Sequence, residues 1–328
     1  MEIIARNVND LFSEGLWKLK ICGVEDTSRN GPVVRIPEPV LVTLNRPLER
    51  VLFNGERDCN PIFHLLESVH ILAGRRDVAF LKQFNQNIGQ FSDDGEVFNA
   101  AYGYRMRRHF GRDQLVEVIK ALKADPASRQ AVIQLWDSED LTKSTLDKCC
   151  NTQLVFSVNC GKVDLLVFNR SNDFIWGHAG ANAVHFSFLL EFVASSLSRE
   201  VGKMRTVSNN LHFYKKLYPR FNLLLENPPD PSAYDAYAQG VKPYPIMNHP
   251  DPETFLADCE YFCEEPFKPG RYYHNSFFHD VAHPMAMVSW VRKNKTGDGM
   301  YWAARIHAPD WRIAVEDWIE RRELAKRK

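Results

Sequence analysis

The stretch Cys150-Asn-Thr-Gln-Leu-Val-Phe-Ser-Val-Asn-Cys-Gly-Lys-Val-Asp-Leu-Leu-Val-Phe168, continued by Asn169-Arg-Ser-Asn-Asp173, sets the reading of the chain. Two apolar runs rich in Val, Leu and Phe flank a short polar turn over 159–162 that contains Gly161. That pattern predicts a β-hairpin. Cys150 then stands at the mouth of the first strand, while Arg170, Ser171 and Asp173 leave the end of the second. A thiol, a guanidinium, a hydroxyl and a carboxylate at adjacent strand ends suit an anionic substrate attacked by sulfur.

Outward from the hairpin, the pattern alternates helices and strands. Asn60-Pro61, followed by Ile62, Leu65, Leu66, Val69 and Leu72 and then Gly74, has an N-cap, a first-turn proline, an apolar stripe at helical period and a C-terminal glycine. Glu67 lies beside that stripe. A helix over 113–123 stops before Asp125-Pro126, because the residue before proline disfavours the helical region, and a strand over 131–136 follows. Asn182 opens 183–197, an apolar run too long for a strand and free of Pro and Gly, hence a mostly buried helix. Residues 1–57 read as strands joined by turns, 83–99 as a polar loop or broken helix, and 226–250 as a surface connection. Ile313, Val315, Trp318 and Ile319 predict an amphipathic C-terminal helix with a basic end.

Composition excludes several classes. The 328 residues suffice for a substantial core, with 45% hydrophobic and 25% charged residues typical of a globular protein. Lys+Arg and Asp+Glu both total 41, so no global field recruits nucleic acid. The absence of a long apolar run or a signal-like start predicts a cytoplasmic protein with no membrane partner. Seven cysteines argue against a disulfide framework, and Cys259 with Cys263 lacks a second ligand pair, so no metal is expected.

These residues resemble the thymidylate synthase and pyrimidine hydroxymethylase family. The matching positions are Cys150, Arg170-Ser171-x-Asp173, Trp176-Gly177, Asn182 and His212-Phe213-Tyr214, preceded in family order by Glu67, Tyr102-Gly103 and Asp125-Pro-x-Ser-Arg129. The resemblance implies an α+β fold in which a mixed sheet is covered by helices and stacked against a dimer mate. It also implies a catalytic domain over 1–225 and a C-terminal extension over 226–328 packed on it. Spacing to the hairpin favours Cys150 over Cys149 as nucleophile. By resemblance, Glu67, Tyr102 and Asp173 complete the catalytic set. Arg29, on a loop, and Arg170 bind the nucleotide phosphate, joined by Arg129 from the partner subunit of a homodimer. Ser171 and Asn182 bind the nucleotide, and His212 with Tyr214 holds the sugar 3′-hydroxyl.

The implied chemistry is one-carbon transfer from 5,10-methylenetetrahydrofolate to a pyrimidine nucleoside monophosphate. Pyrimidine C5 becomes nucleophilic only after a thiolate adds at C6. Hydride delivery to the resulting exocyclic methylene gives methyl, and water gives hydroxymethyl. Three departures favour water. The segment over 83–99 has Phe84 and Phe91 but no Trp, Asn151 replaces the usual His after the nucleophile, and the C-terminus is a basic helix rather than a short apolar tail. Gln130 also replaces a second arginine, and His178-Ala-Gly-Ala181 an expected Pro-Phe approach. The Asn182 amide suits uracil or cytosine alike. Thymidylate synthesis, and a silent nucleotide-binding relative, remain the other readings.

Overall fold

Apolar runs flanking the turn at Cys160-Gly161 do fold as a hairpin in the computed structural model, which describes residues 1–28, 30–215, 221–248 and 250–326. The strands are β1 (Glu2–Ala5), β2 (Val24–Ser28), β3 (Gly31–Arg35), β4 (Val40–Leu44), β5 (Val132–Gln134), β6 (Asn151–Asn159), β7 (Lys162–Asn169), β8 (Asn172–Asp173), β9 (Glu200–Ser208) and β10 (Leu211–Tyr214). The helices are α1 (Val8–Cys22), α2 (Pro61–Leu72), α3 (Val78–Lys82), α4 (Tyr102–Tyr104), α5 (Gln114–Ala124), α6 (Asn182–Ser196), α7 (Phe221–Glu226), α8 (Pro252–Glu264), α9 (His283–Asn294), α10 (Gly299–Ala303) and α11 (Pro309–Lys326).

Strands β6 and β7 pair antiparallel from Asn159↔Lys162 back to Asn151↔Asn169. The reversal needs two left-handed residues, Cys160 (φ 49°) and Gly161 (φ 79°), the geometry that matches strand twist in a two-residue turn. One sheet has the order β1-β4-β9-β7-β6-β5 and a second β2-β3-β10-β8. Both mix parallel and antiparallel pairs, so the fold is α+β with mixed sheets as expected.

Alternation sorts the sheet faces. Leu154, Phe156, Leu165 and Val167 are buried on the face crossed by α6, each such side chain contributing about 1.5–3 kcal/mol on burial. Leu41, Val155, Leu166, Phe168 and Val207, on the other face, are only half-buried.

Helix α2 starts where predicted, with the Asn60 side chain accepting from the Phe63 amide at 3.0 Å. Every residue of α2 except Glu67 is buried, because α6 packs on it together with α8, α9 and α11. The contacts between α6 and the C-terminal helices are aromatic, with Phe192 against Phe255 at 5.8 Å and Phe188 against Trp311 at 6.3 Å.

Two expectations are corrected. The N-terminal region is not all strand: 8–22 forms α1, capped by Asn7 accepting from Asn9 and Asp10 amides, with Val8, Leu11, Phe12, Leu16 and Leu19 buried. Nor is 226–250 a surface connection throughout. Asp235 and Tyr237 are buried, and Asp235 accepts from Asn7 and Asn9 at 2.8 and 3.3 Å, which ties the segment to the start of α1.

Candidate active site

Hairpin register fixes the first contact. Asn151 faces Asn169 at the end of the ladder, and the next amide, Arg170 N, donates to Cys150 O at 3.0 Å. The Arg170 guanidinium donates to the Cys149 carbonyl at 2.8 Å, and its Nη2 lies 4.0 Å from Cys150 Sγ. Beneath it, the guanidinium carbon is 5.5 Å from the Trp136 ring centre. A fixed cation therefore stands beside the Cys150 sulfur.

The adjacent cysteines differ sharply. Cys149 is fully buried, its Sγ directed at the Ala100 and Leu135 carbonyls at 3.7 and 3.6 Å. Burial pushes its thiol up to about 12. Cys150 instead opens on a cavity of about 260 Å³ whose wall also includes Glu67, Tyr102, Asn182 and His185.

Each of these arrives from a different element. Glu67 is the one α2 residue that escapes burial. Tyr102 reaches the cavity because Gly103 lets α4 lie directly on α2; a Cβ there would sit 2.2 Å from Ile71 O. Burial raises the Tyr102 hydroxyl well above its ordinary value, with the Cys150 and Cys149 sulfurs adding to the effect, so it stays protonated as a donor.

Asn182 is the first residue of α6, following a kinked π-turn over 174–181, and its side chain is not a helix cap. Its Nδ2 donates to Asn172 Oδ1 at 3.4 Å. Asn172 Nδ2 in turn meets Ser208 Oγ at 3.1 Å and His178 Nδ1 at 2.8 Å. Burial lowers His178 to about 4, so the ring is neutral and its Nδ1 accepts. That tautomer orients the Asn172 amide and, through it, Asn182. Gly177 makes room for the relay, since a Cβ there would sit 2.8 Å from Asn172 Oδ1.

Asp173, Ser171, His212 and Tyr214 lie outside the cavity wall, around the parallel pair β8–β10, in which Asp173 is opposite His212. Asp173 Oδ1 accepts from the Ile175 and Trp176 amides at 2.8 and 3.2 Å. The His212 and Tyr214 rings meet edge-on at 4.7 Å, and Asn30 Nδ2 reaches the Tyr214 hydroxyl at 3.4 Å. His212 is held below its ordinary pKa by burial, against the pull of Asp173, and its Nε2 has no hydrogen-bond partner among the described residues.

The remaining expectations fall apart from this group. Arg129 is exposed before the edge strand β5 and is not on the cavity wall. Arg29 lies outside the described residues. Asn151 is fully buried and accepts from Asn169 Nδ2 at 2.9 Å, away from the cavity. Phe84 is a core residue against Phe80 and Phe267, whereas Phe91 lines the cavity with Ile71, Leu81, Ile88 and Phe98.

Sequence reasoning missed His185, Asp147, His70 and Arg75, all on the wall. Asp147 accepts from the Ala100 amide at 2.7 Å, and burial raises its carboxyl. Helical spacing gave a signal for two of them: Asn182 to His185 and Glu67 to His70 are i,i+3 pairs that share a face.

Fold and cavity define a thymidylate synthase-like protein, and comparison agrees: the thymidylate synthase family profile matches residues 58–236, so the chain belongs to this family. More particularly, a deoxyuridylate hydroxymethyltransferase of Pseudomonas phage M6 is 42% identical over 99% of this chain and 95% of its own length. A deoxyuridylate hydroxymethyltransferase of Bacillus phage SP01 is also 42% identical, over 56% of this chain and 51% of its own. The thymidylate synthase of T4 phage shares the fold at TM-score 0.55 and 20% identity, covering 67% of this chain and 81% of that one. Among the described residues no helix is long and apolar enough to cross a membrane.

Proposed function

We propose that the protein is a folate-dependent one-carbon transferase that converts deoxyuridine monophosphate to its 5-hydroxymethyl derivative. The observation that carries the reading is the convergence of Cys150, Glu67, Tyr102 and Asn182 on one cavity, in a chain whose near full-length relative is named for that reaction. A nucleotide-binding relative without chemistry would not need a cavity thiol flanked by a fixed cation.

In this reading the Cys150 thiolate adds to C6 of the pyrimidine, with Arg170 beside the sulfur. Asn182, held by Asn172, reads the base edge at N3 and O4, while the protonated Tyr102 hydroxyl donates at the base. Glu67 carries protons between water and the ring. The 5′-phosphate lies against Arg170, Arg29 and Arg129 of a second copy, with Ser171 donating. Asp173 secures the turn that delivers Asn182, and the unpartnered His212 Nε2 and the Tyr214 hydroxyl take the sugar 3′-hydroxyl. Ile71, Leu81, Ile88, Phe91 and Phe98 form an apolar wall beside Cys150 that fits the flat bicyclic ring of 5,10-methylenetetrahydrofolate. That cofactor supplies the carbon at the oxidation level of formaldehyde.

The half-buried apolar face of the six-stranded sheet, Val155, Leu166, Phe168 and Val207, supports a homodimer stacked through it, which would carry the exposed Arg129 toward the partner's phosphate. Reaction in oxygen-18 water with deoxyuridine monophosphate and the folate tests the outcome. Label in a new hydroxymethyl group is expected. An unlabelled methyl product with stoichiometric dihydrofolate would instead establish thymidylate synthesis.

A further inference from the structure

The branch toward hydroxymethyl requires a group that takes a proton from water close to the new exocyclic carbon, and α6 places an imidazole on the cavity wall. His185 lies on the cavity wall one turn after Asn182, yet is only 3% exposed. Its Nε2 is 3.0 Å from Glu67 Oε2, but the two are not aligned for a hydrogen bond, and neither ring nitrogen has a hydrogen-bond partner among the described residues. A buried imidazole normally satisfies at least one nitrogen. Both groups border the cavity, so a molecule in it can come within hydrogen-bond reach of the imidazole and the carboxylate together. A water there would accept or donate to each. His64, also on α2, adds no positive charge to the pair: burial, Arg57 and His185 itself hold it well below its ordinary pKa, so it is neutral.

Resting on the hydroxymethyl reading above, we infer that His185 and Glu67 together hold and deprotonate the water that enters the product. The water oxygen bonds to the exocyclic methylene carbon at C5, and its proton passes to the His185–Glu67 pair. The methylene π electrons return to the ring, re-forming the C5–C6 double bond and expelling the Cys150 thiolate from C6. Nothing is oxidised or reduced, and no further reactant is needed. The imidazole lost beside the nucleophile, where Asn151 is turned into the core, is thereby replaced by one on α6.

The inference separates the late step from the early ones. Wild type, His185→Gln and His185→Asn are run with deoxyuridine monophosphate tritiated at C5, the methylene folate and oxygen-18 water. C5 tritium leaves before water enters, so each folded variant should release one equivalent per site at a rate within about threefold of wild type. Labelled hydroxymethyl product should then form about 100-fold more slowly, the lower end of what removing an acid–base group costs. Two variants guard against one failing to fold, with thermal unfolding as the check. Tritium release slowed as much as product formation would overturn the inference, since His185 would then only shape the nucleotide site. So would product formed at the wild-type rate. If wild type itself gives unlabelled methyl, the hydroxymethyl reading falls first and this role with it; if wild type incorporates label and both variants match it, only the role of His185 fails.

Discussion

Replacing Asn172 by alanine tests the amide relay behind Asn182. Asn172 is 2% exposed and joins His178 at 2.8 Å, Ser208 at 3.1 Å and Asn182 at 3.4 Å. Two of these are of normal length, each worth about 1 kcal/mol net; the third is long and weaker. Truncation also leaves the His178 Nδ1 lone pair and the Ser208 hydroxyl buried without this partner, which moves the cost to the upper end of the range. The expected loss is about 3 kcal/mol, measured as a lower midpoint with unchanged slope in urea unfolding. Function should suffer separately. With its anchor gone, the Asn182 amide rotates, so the ratio of kcat/KM for deoxyuridine over deoxycytidine monophosphate should fall by about tenfold, the equivalent of one hydrogen bond of about 1.4 kcal/mol. A variant with wild-type stability would refute the hydrogen-bond reasoning. One that is destabilised but keeps the wild-type base ratio would refute the claim that Asn172 orients Asn182.

Other outcomes follow from the same geometry. Cys150→Ser should lose more than about a thousandfold in turnover, as removal of a nucleophile does, whereas Cys149→Ser, whose hydroxyl can still donate to the Ala100 or Leu135 carbonyl, should stay active; equal losses would reverse the assignment. Mixing Arg129→Ala with Cys150→Ser subunits should restore activity by pairing an intact Cys150 with an intact Arg129 across a dimer, and exchanged but inactive heterodimers would exclude shared sites. Asp310, buried against Tyr237, is raised by burial from 3.8 to about 6. A carboxyl raised in the folded state binds its proton more tightly there, so its contribution is full below the ordinary value and is lost as pH climbs to about 6. Relative to wild type, Asp310→Asn should therefore gain about 3 kcal/mol of unfolding free energy between about pH 4 and pH 7, and a pH-independent difference in denaturant titrations would contradict this.

How much of this was legible depended on whether a residue's neighbours in sequence are also its neighbours in space. The hairpin was readable because turn and alternation are local, and so was α2, whose Asn60 cap and Pro61 precede a regular stripe. Helix α1 was overlooked although Val8, Leu11, Phe12, Leu16 and Leu19 keep helical spacing; Gly15, a poor helix former, sits in that stripe so that Phe174 can close on it, a Cβ at 15 falling 2.2 Å from that ring. The 226–250 segment looked like surface because its prolines and asparagines say nothing of Asp235, whose partners Asn7 and Asn9 are more than 220 positions away. His185 was missed for another reason. A helix covered on all sides has no amphipathic face, so only the i,i+3 spacing from Asn182 signals which turn borders the cavity.

That last limit also explains where the chemistry sits. Helices α2 and α6 are enclosed by the sheet, by each other and by the C-terminal helices, and a polar group on either must be hydrogen-bonded or must border a space that holds water or ligand. Ser68, Ser187 and Ser196 take the first course, each hydroxyl returning to a carbonyl of its own helix. Glu191 does the same through Arg50 and the Ile246 amide. Glu67, Asn182 and His185 take the second, and all three border the cavity that Cys150 opens on. Two helices otherwise committed to the core thus bring their exceptions to the cavity that Cys150 also lines.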